Sequence, residues 1–226
     1  MRYLPLFLSM FALFIPATVH AAHGGEREFQ EAEKFYQEHK AEIELCDPCE
    51  ETRPKAQEAL DLYAIAVKEG NPNAQFKMGW MYLSKKGVMY DLEKGLKLWQ
   101  DAAKNGHIDA LINIASFTYE GQLIPQDFEK AHDLYKEAAK KGHGLGQYYI
   151  ALNYLDGKGT TQDFIESYAW VSAAIETLKF NDVKEQAILL RDELVKDHLP
   201  ESDKKRADII AIKYQRLYVR PFSDDK

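Results

Sequence analysis

Cysteine is nearly absent. Two in 226 residues, Cys46 and Cys49, are too few for a disulfide-dense scaffold and allow at most one internal bridge. Proline is scarce too, and no proline-rich linker or low-complexity tract divides the chain. Apolar–polar alternation of period two persists nowhere, so no strand pattern emerges. Cations are in the minority, with 29 Lys and Arg against 36 Asp and Glu, a formal charge of −7. That balance argues against nucleic acid or an anionic membrane surface as a partner. H-E-x-x-H, G-x-S-x-G, the Walker-type glycine loop and G-x-G-x-x-G are all missing. Nothing here supports an enzyme, and no cofactor is expected.

The one long apolar run opens the chain. Arg2 precedes Tyr3 to Val19, apolar apart from Ser9 and Thr18, and "VHA" at 19–21 sets small residues where a signal peptidase reads them. Pro5 and Pro16 interrupt the run and no basic stop-transfer flank follows, which argues against a retained anchor. The expectation is a signal peptide over 1–21, cleaved to leave a periplasmic or secreted chain without stable membrane insertion. Losing Arg2 takes the formal charge to about −8.

What the chain has in abundance is itself. Residues 74–107, 110–143 and 146–179 align without gaps at a period of 36, with Ala74/Ala110/Gly146, Asp91/Asp127/Asp163 and Ala102/Ala138/Ala174 in register. Each unit reads as a helical hairpin. A first helix from about Ala74 to Ser84 ends at a glycine loop ("KKG", "EGQ", "GKG"). A second helix opens on Asp91, Asp127 or Asp163, a good N-cap, and carries a stripe such as Leu92, Leu96, Trp99 and Ala103. "NGH" or "KGH" closes it. One hairpin cannot bury its stripe alone, so successive hairpins must stack.

On these residues the chain resembles the Sel1-like repeat family, a tetratricopeptide-type branch. Ala74, Met78, Gly79, Tyr82, Gly87, Val88, Asp91, Lys94, Trp99, Ala102, Ala103 and Gly106 match its motif. The second unit departs at Ala115, Thr118 and Leu123, and the third loses the closing glycine at Leu178. The resemblance implies an all-α fold, a short right-handed α-solenoid of stacked hairpins between N- and C-terminal capping helices. The boundaries read as a signal (1–21), a capping helix and C-x-P-C loop (22–53), a half unit (54–73), full units (74–109, 110–145, 146–179) and capping helices (180–226). In the half unit Tyr63 aligns with Trp99 and Ala66 with Ala102. Residues 25–45 read as one amphipathic helix with Phe29, Ala32, Phe35/Tyr36 and Ile43 inward, and 182–198 and 201–218 as two more.

The resemblance also implies a non-catalytic adaptor, holding a protein or peptide partner of the envelope on its concave face, in envelope assembly, motility or host interaction. First helices line that face, so its variable slots are Lys77/Asn113/Tyr149, Trp80/Ser116/Leu152 and Ser84/Glu120/Asp156. Trp80 and Tyr149 stand out as aromatic anchors, although packing against a neighbouring helix would account for them equally. The alternative is that they are sugar-stacking platforms of a peptidoglycan- or glycan-binding module. His107 and His143 share one slot past a helix C-terminus, where a cation suits the dipole and reaches the last carbonyls. Glu129 and His132 form an isolated E-x-x-H with no second half to complete a metal site, and Lys204, Lys205 and Arg206 sit among acids as a solvated helix face. Cys46 and Cys49 read as a local disulfide that shapes the turn of the N-terminal cap, with a thiol–disulfide catalytic pair and half of a metal site as the alternatives. Glu44, Asp47, Glu50 and Glu51 crowd the pair, which disfavours a reactive thiolate.

Overall fold

Asp91, Asp127 and Asp163 each accept a hydrogen bond from a backbone N–H two or three residues on, at 2.9–3.0 Å, and so begin three of the helices. The residue closing each preceding loop is tied down as well: Asp127 N–H donates to Thr118 O and Asp163 N–H to Tyr154 O, both at 2.9 Å, and Asp91 N–H to Tyr82 O at 3.2 Å. One local device, repeated, sets the geometry of every hairpin.

The computed structural model describes residues 24–44, 53–84, 89–179 and 181–219. In order come α1 (Glu26–Glu38), α2 (Lys40–Glu44), α3 (Arg53–Lys68), α4 (Pro72–Ser84), α5 (Leu92–Lys104) and α6 (Ile108–Glu120). They are followed by α7 (Phe128–Lys140), α8 (Gly144–Asp156), α9 (Phe164–Thr177), α10 (Asn181–Glu193) and α11 (Glu201–Tyr218). Among the described residues there is no strand. α4 with α5, α6 with α7 and α8 with α9 form the hairpins; α1 packs on α3 at one end, and α10 and α11 pack on α9 at the other. The result is an all-α solenoid.

Repetition is clearest in the core. Ala66, Ala102, Ala138 and Ala174 are all fully buried, and so are Ala59, Ala131 and Ser167 two turns earlier in their helices. Those small side chains let helices approach closely, while Tyr63, Trp99 and Tyr135 fill the space beside them. In the first unit the approach is closest. A Cβ on Gly79 would lie 2.6 Å from Trp99 Cδ1, and one on Gly95 would lie 2.5 Å from Leu83 Cγ. Ala115 and Ala131 occupy the matching places in the second unit, where a narrower tyrosine replaces the tryptophan. The first-helix ends at Gly121 and Gly157 adopt φ of 70°, the left-handed cap that glycine tolerates without strain.

Several expectations need correction. The expected stripe of Leu92, Leu96, Trp99 and Ala103 is rotated: Gly95, Trp99 and Ala102 are buried, and the two leucines and Ala103 stay partly open. Across the α4–α5 contact Gly79 receives Trp99 and Gly95 receives Leu83, which turns that line inward and leaves Leu92, Leu96 and Ala103 beside it. The single helix expected over 25–45 is interrupted at His39, whose φ of −111° separates α1 from α2, and Phe35 is half-buried beside a buried Tyr36. The helix expected over 182–198 is regular only to Glu193 and ends in a π-helical turn, Leu194–His198. The signal segment 1–21, Cys46, Cys49 and the loop carrying Gly87 and Val88 lie outside the described residues.

Candidate functional site

The first helices α4 and α6 meet the N-terminal cap around a recess of about 350 Å³. Tyr36 and Glu44 reach it from α1 and α2, Tyr63 from α3, Phe76, Trp80 and Met81 from α4, and Asn113 from α6. Apolar rings form its walls. Its polar rim is already ordered: Glu33 accepts from Gln37 Nε2 (2.7 Å), Tyr63 OH (3.0 Å) and Lys77 Nζ (3.2 Å), and Tyr36 OH donates to Glu44 at 2.6 Å. Burial alone would push the Glu33 carboxyl up; the hydrogen bonds and the Lys77 charge outweigh it and hold the group below its usual range. Burial first, then the neighbouring carboxylates, pushes the Tyr36 and Tyr63 hydroxyls up. The site therefore presents apolar volume bordered by Gln37 and Lys77, both held from behind by Glu33, and suits one anchoring side chain and its flanking backbone.

Of the nine concave-face residues read from the repeat, Lys77, Trp80 and Asn113 converge on this recess. Trp80 is half-buried, packed between the clusters around Met81 and around Trp99. Tyr149 is half-buried one unit further on, its ring 4.9 Å from that of Tyr135, and Leu152 packs into the same core. Ser116 Oγ hydrogen-bonds the Tyr135 hydroxyl at 3.0 Å. Ser84 Oγ lies 3.5 Å from Met81 O, Glu120 is exposed, and Asp156 pairs with Lys158 at 3.3 Å. Tyr36, Tyr63, Phe76 and Met81 were not among the nine. Tyr36 and Tyr63 carried a signal only as inward-facing residues; Phe76 was not singled out, although its slot holds Phe76, Ile112 and Tyr148 in the three units.

His107 and His143 do not serve as cations at a helix C-terminus. Each backbone N–H closes the preceding helix, onto Ala102 O (2.9 Å) and Ala138 O (3.1 Å). Each side chain points forward and caps the next helix, Nδ1 accepting from Ala110 N–H at 3.3 Å and from Gly146 N–H at 3.4 Å. A nitrogen that accepts carries no proton, so this cap requires the neutral ring with hydrogen on Nε2. In His143 that nitrogen reaches Asp109 Oδ1 at 3.0 Å, linking one unit to the next. His107 stacks on Phe76 at 4.3 Å. His132 is buried, edge-on to Tyr154 at 5.2 Å, whereas Glu129 is exposed. Among the described residues no cluster of three or more His, Cys, Asp or Glu could hold a metal, and no helix is long and apolar enough to cross a membrane.

Acid sensitivity follows from these rings. Burial lowers the His107 pKa, with Lys77 adding to it and Asp109 opposing; burial and then Lys136 lower that of His132, with Asp133 opposing. A histidine whose pKa falls on folding binds its proton more readily in the unfolded chain. Its contribution is therefore complete above the unfolded value of about 6.5 and is lost as pH falls below it. Urea midpoints are expected to drop steadily between pH 7 and pH 5. His107→Asn keeps a cap that does not titrate and should flatten the drop. An unchanged midpoint in the wild-type chain across that window would refute the neutral-cap assignment.

The repeated hairpin can now be set beside known proteins. The family described as Sel1 repeat matches residues 72–107, 108–143 and 144–176. The chain carries three Sel1 repeats. The matched windows keep the period of 36 and begin two residues ahead of the alignment that opens at Ala74. A crystal structure of a Sel1 repeat protein from Oxalobacter formigenes shares 20% identity with a TM-score of 0.53, over 58% of this chain and 98% of that one. A structure of c5321, a protective antigen of uropathogenic Escherichia coli with an SLR fold, shares 17% identity with a TM-score of 0.48. It is matched over 92% of this chain, which spans about half (52%) of the antigen's length. Likeness at this identity speaks for the fold alone. No curated protein matches the chain. Sel1 repeats serve in general as protein–protein interaction scaffolds without catalysis of their own.

Proposed function

We propose that the chain is a non-catalytic adaptor, exported to the periplasm, that holds a protein or peptide segment along its first-helix face. The recess between α1, α3 and α4 carries this reading, because it offers about 350 Å³ of mostly apolar volume rimmed by ordered polar groups. One large apolar or aromatic side chain of the partner enters between Trp80, Phe76 and Tyr36, and its backbone runs on past Asn113 along α6. Such an anchored pocket is the usual form of a binding hot spot. The exported setting is supported by the apolar segment Tyr3 to Val19 with its "VHA" end, and a role in envelope assembly, motility or host interaction accords with it. In that compartment Cys46 and Cys49 are oxidised to a local bridge.

Capture of partners from envelope extract by the immobilised chain tests this reading. Trp80→Glu should weaken capture by about 30-fold or more, the loss of a hot-spot aromatic. Trp80 also contributes to packing, so Asn113→Lys and Gln37→Glu, at the open rim, provide variants that leave the core intact. Capture that survives all three changes, in chains whose circular dichroism is unaltered, would remove the recess from the binding surface.

A further inference from the structure

Eight large apolar side chains are exposed among the described residues, and five of them cluster at the C-terminal end: Leu189, Val195, Ile209, Ile212 and Leu217. A solenoid end normally turns a polar face to water. Here α11 packs Ala207, Ala211, Tyr214 and Tyr218 toward α9 and leaves its opposite face bare. Ile209 (70% exposed), Ile212 and Leu217 (58%) lie along that face around a shallow groove of about 430 Å³. Lys205, Arg206, Lys213 and Arg216 flank them. Spacings of three and four residues keep all seven on one side of the helix. Lys205 pairs weakly with Glu201 at 3.7 Å, and the other three cations make no ion pair among the described residues. In a chain of net charge −7 this is a local reversal of sign.

The neighbouring end helix is its complement. α10 buries Ala187 and Leu190 and turns Asp182, Glu185, Leu189, Asp192 and Glu193 outward, with Leu189 69% exposed. Asp192 pairs with Arg191 at 3.0 Å; Asp182, Glu185 and Glu193 make no ion pair among the described residues. Both helices pack on α9 and scarcely touch each other, so among the described residues nothing covers either outer face. An acidic strip around one leucine and a basic strip around three aliphatic residues thus share one end of the molecule.

We propose that this end binds a second copy of the chain, with α10 of each copy laid on α11 of the other. Leu189 fills the groove between Ile209 and Leu217, while Glu185 and Asp192 meet Lys213 and Arg216. A two-fold axis makes both contacts at once and closes the assembly, as an isologous contact must. An anionic lipid surface would engage α11 alone and would repel the acidic face beside it. The matched opposite strip is what favours a second copy. The recess lies at the other end of the stack, so this inference does not rest on the proposed adaptor role.

Sedimentation equilibrium of the purified chain tests it. A dimer is expected, weakening as salt is raised. Lys213→Glu with Arg216→Glu should raise the dissociation constant by about tenfold or more, as should Ile209→Glu. Glu185→Lys with Asp192→Lys should weaken it similarly, and the two reversals combined should restore association. All these positions are exposed, and thermal melts establish that each variant is folded. A wild-type chain that stays monomeric at high micromolar concentration would overturn the proposal. So would a dimer indifferent to the α11 changes, a charge swap that fails to restore it, or α11-dependent co-sedimentation with phosphatidylglycerol vesicles.

Discussion

Trp99→Ala is expected to lower the unfolding free energy by about 3–5 kcal/mol, the range for emptying a large aromatic site in a close-packed core. The ring is only 3% exposed and joins its own helix α5 to both neighbours, α4 and α6. It stacks on Phe76 of α4 at 5.8 Å, lies 5.4 Å from Phe117 of α6, and its Nε1–H donates to Phe76 O at 3.0 Å. Gly79 leaves the room that the indole occupies, since a Cβ there would lie 2.6 Å from Trp99 Cδ1. In a stack where each unit is held only by its neighbours, losing this contact should uncouple α1 to α4 from the remainder. Urea unfolding followed by circular dichroism should show a second, earlier transition. Gly79→Ala should destabilise the same region by crowding the indole. Trp99→Tyr should relieve that crowding, because the second unit combines Ala115 with Tyr135. A loss below about 1 kcal/mol for Trp99→Ala would show that neighbouring side chains collapse into the space.

Trp170→Ala should be of similar size but act elsewhere, releasing α11 from the end of the stack. Trp170 is 2% exposed, packs against the tilted ring of Tyr214 at 4.4 Å and stacks on Tyr218 at 5.3 Å. Around it, Tyr168 OH donates to Asp208 (2.8 Å) and Tyr214 OH to Glu166 (2.9 Å), but these bonds lie at the margin and exchange readily with water. Buried aromatic area therefore dominates the α9–α11 contact. Loss of about 3–5 kcal/mol there should exceed what holds a terminal helix. Amide hydrogen exchange should accelerate across 201–218 while 108–156 stays protected. Trp170→Phe should cost only about 1 kcal/mol, because Nε1 has no hydrogen-bond partner among the described residues and none is forfeited. Equal effects of the two substitutions would contradict this account.

The contrast between the tryptophans shows where sequence reading ended. Trp99 stood in a repeat slot, so its burial and its neighbours followed from the period of 36. Trp170 lies one residue before the slot of that register, which Val171 occupies, and nothing in the pattern marked it as the hub for the last helix. Trp80 was read as either anchor or packing residue. It is half-buried and lines the recess, and only the positions of α1 and α3 against α4 brought it beside Tyr36 and Tyr63.

Charge followed the same division. Lys204, Lys205 and Arg206 read as one solvated cluster, but successive helical residues point about 100° apart. Lys204 turns inward to Asp208 at 2.6 Å and over the Tyr168 ring at 4.9 Å, while Lys205 and Arg206 join the outer face with Lys213 and Arg216. His107 and His143 were placed in the right turn but given the wrong partner. Sequence fixes a residue's place between two helices, and backbone direction at the turn decides which helix its side chain serves.

From sequence alone came the period, the hairpins and the aspartate caps, all of which are local or repeat-borne. A register repeated three times leaves the stack no other way to bury its stripes. The tertiary structure alone decided the recess, the forward-facing histidine caps and the opposed faces of α10 and α11. These depend on how non-repeating ends pack against the stack, and such contacts join residues that no period relates.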